Sequence, residues 1–132
     1  MFEAKIKVRL YDTDAAGVVF FANYFKLAHD AYEEFMDSIG CGIDRILKET
    51  AYILPVVHGE ADYKKPLTLG ETVTVSITAQ VKETSFVLYY TLKDVQGGTA
   101  AILETVHVAV DGKTKKKIPL PENVRQGLLT IA

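Results

Sequence analysis

Residues 10–39 read LYDTDAAGVVFFANYFKLAHDAYEEFMDSI, and the fold depends on how this stretch divides. In its second half Tyr24, Leu27, Ala28, Ala31, Tyr32, Phe35 and Ile39 recur at helical spacing and form one apolar stripe, while Lys26, Asp30, Glu34 and Asp37 fall opposite. The pattern predicts one long amphipathic helix, with Asn23 as N-cap and Gly40 as stop. The first half is an acidic turn, Asp12-Thr13-Asp14, followed by the small and apolar loop 15–20. A carboxylate therefore sits beside a glycine-containing loop that leads into a helix N-terminus. Free backbone N–H groups and the positive end of the helix dipole gather there.

Working outward, 5–11 alternates as a half-buried strand with Ile6, Val8 and Leu10 inward. A short second helix is expected at 43–48, after Gly42. Residues 52–63 read as a strand interrupted by Pro55 and Gly59, which marks an edge, a bulge or a close backbone approach. The clearest strand is 72–81, where Val73, Val75, Ile77, Ala79 and Val81 alternate with polar residues. Glu83-Thr84 turns it into 86–93, where Phe86, Leu88, Tyr90 and Leu92 share a face. A further strand, 100–110, ends at the hairpin signal Asp111-Gly112 and the lysines 113, 115, 116 and 117. Pro121 opens a short C-terminal helix. One helix with a wide stripe, followed by a run of antiparallel strands, predicts an α+β layer with the helix lying across the sheet.

With 132 residues the chain is expected to form one domain, 1–132. Apolar residues at 48%, charged residues at 24% and a net charge of −2 describe an ordinary soluble protein without a general nucleic-acid surface. Cys41 is alone and cannot form an internal disulfide. No apolar run reaches the roughly 18 residues of a membrane span, and the start alternates like a strand rather than a signal peptide. Cytoplasmic placement without membrane association is the expectation.

For chemistry, Ser38, Ser76 and Ser85 lie outside any G-x-S-x-G turn, and no cationic signature surrounds Cys41. No spacing resembles a zinc site, and Asp12 with Asp14 offers too few oxygens for a hard cation, so no metal is expected. Asp14, three residues ahead of Gly17, is the candidate catalytic carboxylate, since an acyl carbon polarised by N–H donors needs such a partner. The alternative is that both aspartates merely cap the turn. His29, His58 and His107 each fit a hydrogen-bonded structural imidazole; His58, at the irregular strand, is the exception to watch. The lysine run is a solvated hairpin tip or a phosphate contact.

The stretch 12–24, DTDAAGVVFFANY, resembles the active-site segment of hotdog-fold thioesterases of the 4-hydroxybenzoyl-CoA type. The likeness extends over nearly the whole chain. Within that family DTDAAGVVFF, His29-Asp-Ala-Tyr-Glu33, Leu54-Pro-Val-Val-His58 and the segment 116–121, KKIPLP, are most similar to 1,4-dihydroxy-2-naphthoyl-CoA thioesterases of quinone biosynthesis. The resemblance implies a hotdog fold and hydrolysis of an aromatic acyl-CoA. Asp14 would be the catalytic carboxylate, and the backbone N–H of Phe21 would polarise the thioester carbonyl. Gly17 and Val18 would border the acyl pocket. Residue chemistry adds Tyr24 and His58 to that pocket, and Lys64, Lys65 or Lys82 as CoA contacts. The resemblance further implies no cofactor beyond the CoA of the substrate, and a homodimer or homotetramer. A broad short- or medium-chain acyl-CoA thioesterase and a non-catalytic acyl-CoA or acyl-carrier-protein binder are the alternatives.

Overall fold

Helix α1 (Asn23–Ser38) is the axis of the computed structural model, which describes residues 1–132. Its buried stripe is Tyr24, Leu27, Ala28, Ala31, Tyr32, Phe35 and Met36. Met36 takes the place expected for Ile39, which lies past the helix end and is only half-buried. Gly40, at φ +76°, supplies the left-handed residue that stops the helix.

The strands are β1 (Phe2–Lys7), β2 (Tyr52–Ile53), β3 (Val56–Tyr63), β4 (Thr72–Val81), β5 (Ser85–Lys93), β6 (Thr99–Val108) and β7 (Val110–Asp111). Five form one antiparallel sheet in the order β1-β4-β5-β6-β3, and β2 pairs with β7 beside it. The inward positions are fully apolar on β4 (Val73, Val75, Ile77, Ala79) and carry one hydroxyl on β5 (Phe86, Leu88, Tyr90, Leu92). On β6 the inward set is Ala101, Leu103, Thr105 and His107, all buried, and the last two are polar. Removing the apolar surface of these residues from water, at about 1.5–3 kcal/mol per large side chain, holds α1 on the sheet. Two short helices, α2 (Ile43–Glu49) and α3 (Glu122–Leu129), close the end of α1 away from the acidic turn. Gly127 lies against Ile39, where a Cβ would collide with its side chain.

Three expectations change at the borders. The first strand stops at Lys7, and Leu10–Asp12 is a 3-10 turn, so Leu10 points out with 73% exposure. The expected strand 52–63 divides at Leu54-Pro55 into β2 and β3. Its C-terminal piece is a sheet edge with a bulge between Val56 and His58. Gly59 there admits the ring of Phe25, 3.1 Å from where a Cβ would stand. The run 100–110 divides at Ala109 into β6 and β7, because β7 leaves the main sheet to pair with β2.

Candidate active site

Asp12 and Asp14 stand two residues apart in different surroundings. Asp12 is 1% exposed. Its carboxylate accepts from the Arg9 N–H at 2.9 Å and lies 3.3 Å from Lys26 Nζ, while its carbonyl accepts from Phe20 N–H and Asn23 Nδ2, both at 3.0 Å. It knots the turn to the start of α1. The side chain of Asp14 is exposed; Oδ1 accepts from the Ala16 N–H at 2.8 Å, and the other oxygen has no partner in the chain. The Asp14 N–H donates to Val18 and the Gly17 N–H to Asp14, closing a tight loop in which Gly17 takes φ +79°. Bonds from Val19 N–H to the Leu67 carbonyl and from Leu69 N–H to the Gly17 carbonyl pin this loop to the chain ahead of β4.

The returning arm of the loop runs into α1 without a cap. Ala22 occupies the N-cap position and no side chain caps the end. Asn23, expected there as a cap, instead lies inside the helix and turns its amide back to Asp12. The N–H groups of Phe21 and Ala22 donate to nothing in the chain. Two aligned donors at the positive end of a 16-residue helix thus stand in the same loop as the free oxygen of Asp14.

Gly17 and Val18 close the loop on Asp14 through the Asp14 N–H to Val18 and Gly17 N–H to Asp14 bonds, and Phe21 follows on the returning arm after Phe20, whose N–H donates to Asp12. Tyr24 lies beneath them with 4% exposure, its ring edge-on to Tyr63 at 4.9 Å and its hydroxyl donating to the Lys65 carbonyl at 3.3 Å. Burial raises its pKa, and it forms the floor under the loop rather than an open pocket wall. His58 falls on the outer face of the sheet, opposite Val106, with Nε2 3.0 Å from Glu60 Oε1. There it joins Glu60 and Glu104, whose ligand atoms lie within 4.8 Å of one another, and faces away from α1. Hydrogen bonding between the two carboxyls lowers the Glu60 pKa and raises that of Glu104. Lys64 and Lys65 follow β3 directly beside Tyr24, but Lys65 is already paired with Asp94 at 2.6 Å. Lys82 follows β4 at the end opposite Thr72, and Thr72 is the residue that pairs with Lys7 near the turn. Within one chain Lys82 is therefore remote from Asp14.

The space for an organic group lies elsewhere than expected. Between the first two turns of α1 and the β3–β6 edge is a cavity of about 310 Å³, with Ala28, Tyr90, Thr105 and His107 at its base and Phe25, Lys26, His29 and Val56 around its mouth. It shares His29 and Val56 with an apolar cavity of about 210 Å³ under α2, where Tyr32, Ile46, Leu54 and Pro55 meet. Tyr90, Thr105 and His107 form a buried polar chain: Tyr90 Oη lies 3.0 Å from Thr105 Oγ1, which lies 2.9 Å from His107 Nε2. His107 stacks on Phe86 at 4.7 Å, and burial lowers its pKa to about 4. The largest cavity, about 390 Å³, flanks the other side of α1, but Lys5, Lys7, Arg9, Asp30, Glu33 and Glu34 make it a charged, solvated trough. The signal for the β6 wall was present in the alternation, which puts His107 and Thr105 on the same side as Leu103.

A carboxylate with one free oxygen, uncapped helix donors and an aryl-sized groove along α1 are the parts that an acyl-transfer site requires. The chain belongs to the thioesterase-like superfamily, whose family model matches residues 8–128, and its architecture is the hotdog fold. Its relatives include a 1,4-dihydroxy-2-naphthoyl-CoA hydrolase of Rippkaea orientalis, 36% identical over 124 residues that span 92% of this chain and 90% of the relative. Slr0204, a 1,4-dihydroxy-2-naphthoyl-CoA thioesterase from Synechocystis, superposes with a TM-score of 0.92 at 29% identity, covering 97% of this chain and 95% of the other. A gentisyl-coenzyme A thioesterase superposes with a TM-score of 0.86 at 26% identity, covering 96% and 99% respectively. No helix of the chain is long and apolar enough to cross a membrane.

Proposed function

We propose that residues 1–132 act as one thioesterase domain that hydrolyses an aromatic acyl-CoA, 1,4-dihydroxy-2-naphthoyl-CoA of menaquinone or phylloquinone biosynthesis. The observation that carries this reading is the free carboxylate oxygen of Asp14 in the same loop as the unpaired N–H groups of Phe21 and Ala22. The thioester carbonyl oxygen accepts from those N–H groups, so charge building on it in the transition state meets donors already aligned. One such donor is worth about 3–4 kcal/mol in comparable sites. Asp14 then either attacks the carbonyl carbon, giving a mixed anhydride that water opens, or takes a proton from the attacking water. Coenzyme A leaves as a thiolate of low basicity, so no strong general acid and no cofactor are needed.

Gly17 and Val18 border the reacting group, and Lys64, next to the Lys65 that Asp94 holds, is the candidate cation for CoA phosphates. The enzyme acts in the cytoplasm as a homodimer or homotetramer. Association through β3 is favoured because this edge exposes Val56 at 49% and Val57 at 58%, whereas the other edge, β1, carries Glu3, Lys5 and Lys7. A monomer mass by light scattering at micromolar concentration, with full activity, contradicts the assembly.

The deciding experiment follows free thiol release from three substrates. We expect kcat/KM for 1,4-dihydroxy-2-naphthoyl-CoA to exceed those for benzoyl-CoA and hexanoyl-CoA by at least about tenfold. Equal hydrolysis of hexanoyl-CoA identifies a broad-range acyl-CoA thioesterase instead. No hydrolysis of any of the three identifies a binder that has kept only the fold.

A further inference from the structure

We infer that the Tyr90–Thr105–His107 chain at the base of the α1–β6 groove is a specificity device that recognises a hydroxyl group on the ring of the acyl substrate. The inference rests on the proposed reaction and adds to it the residues that read the ring.

Position comes first. Phe25 and Lys26 rim the groove one helical turn, roughly 6 Å, beyond the free N–H groups of Phe21 and Ala22. An aryl ring in the groove therefore leaves its carbonyl substituent close to the helix start, where Asp14 works. The groove holds about 310 Å³ and the apolar cavity that shares its rim about 210 Å³, together within the range of small-molecule pockets. Ala28 contributes only a methyl group to the base, and its size keeps the floor open.

The direction of the hydrogen bonds comes next. Burial keeps His107 neutral at physiological pH, so one ring nitrogen carries the proton. Nδ1 makes no regular hydrogen bond, yet the Leu54 carbonyl is near enough to favour a proton on that side. Nε2 is then the acceptor, Thr105 donates to it, and the Tyr90 hydroxyl donates to Thr105. Both protons of the chain are committed, while Thr105 Oγ1 keeps an unused lone pair beside the cavity. The base of the groove thus accepts and does not donate. A ring hydroxyl, which donates, satisfies it; a bare ring or a methoxy ring does not.

A second buried group points the same way. Tyr32 is 2% exposed, its ring packs 4.8 Å from that of His107, and it lines the adjoining cavity, yet its hydroxyl has no partner. A buried hydroxyl without a partner is uncommon in folded proteins, and a ligand oxygen beside it removes the deficit.

The test compares 1,4-dihydroxy-2-naphthoyl-CoA with 2-naphthoyl-CoA on wild type, Thr105→Val and Thr105→Ser. Wild type is expected to favour the hydroxylated substrate by at least about tenfold in kcat/KM, Thr105→Val to reduce that ratio to about two, and Thr105→Ser to restore it. A structural role alone lowers both substrates together and leaves the ratio unchanged. If Thr105→Val does not fold, Thr105→Ala carries the same expectation, since it also removes the hydroxyl that accepts from the ring. A folded Thr105→Val enzyme that keeps the full ratio overturns the inference. A wild-type ratio near one overturns it too while leaving the thioesterase reading intact, and a wild type that hydrolyses neither substrate removes both.

Discussion

Asp12 and His107 are buried polar groups, Asp12 paired through both carboxylate oxygens and His107 through Nε2; Asp14 and His58 are their exposed counterparts on neighbouring backbone. Asp12 lies in the root of the turn, where the Arg9 N–H and Lys26 each take one of its carboxylate oxygens, and Asp14 lies at the tip, where one oxygen is left over. The difference is one of position along a single hairpin loop: the root must be paired to be buried, and the tip is free to react. For the histidines the outcome is reversed. His107, inward on β6, borders the groove, whereas His58, outward on β3, meets only Glu60 and Glu104. Burial by itself does not mark function here. What matters is whether the group faces space that a substrate can fill.

The sharpest way to break the first contrast is Asp14→Asn, which keeps shape and removes the charge. Turnover is expected to fall at least about a hundredfold while the urea midpoint stays within error of wild type. The second contrast is read by acid titration of stability. The unfolded His107 takes up a proton near pH 6.5 and the folded one only near pH 4, so its contribution is complete above 6.5 and is lost as pH falls toward 4. That loss amounts to about 3 kcal/mol, and His107→Phe should remove it from the pH profile of unfolding; an unchanged slope places the acid sensitivity elsewhere. Asp12→Asn is expected to cost about 2 kcal/mol in denaturant unfolding, with turnover reduced less than tenfold. The smallest effect belongs to Asn23→Ala, about 1 kcal/mol, through the single bond from its amide to the Asp12 carbonyl.

Much of the fold was legible because one periodicity dominated each element. The stripe of α1 and the alternation over 72–81 leave no competing assignment, and both elements match their expected spans to within a residue. Residues 5–11 misled because Leu10 continues the alternation although the Asp12 carboxylate draws the Arg9 N–H into a turn, an interaction that period alone does not register. Asn23 carried a cap signal, but the helix begins one residue earlier, with Ala22 in the cap position, and the Asn23 amide donates to the Asp12 carbonyl instead. For the site, the loop 14–21 was readable as a unit because its parts are contiguous. The groove was not, since it joins α1 to β3 and β6, and only the strand order brings Phe25, Thr105 and His107 together. His58 lies outside the groove, on the outer face, because of the parity that the bulge after Val56 sets.

Two aspartates two residues apart are proposed to divide the work, Asp14 reacting and Asp12 holding the turn. The direct measurement is thiol release from 1,4-dihydroxy-2-naphthoyl-CoA by wild type, Asp12→Asn and Asp14→Asn, each paired with its urea unfolding curve. The expected pattern is a crossed one: Asp14→Asn inactive and stable, Asp12→Asn active and destabilised. An Asp14→Asn enzyme that keeps more than about a tenth of wild-type turnover contradicts it.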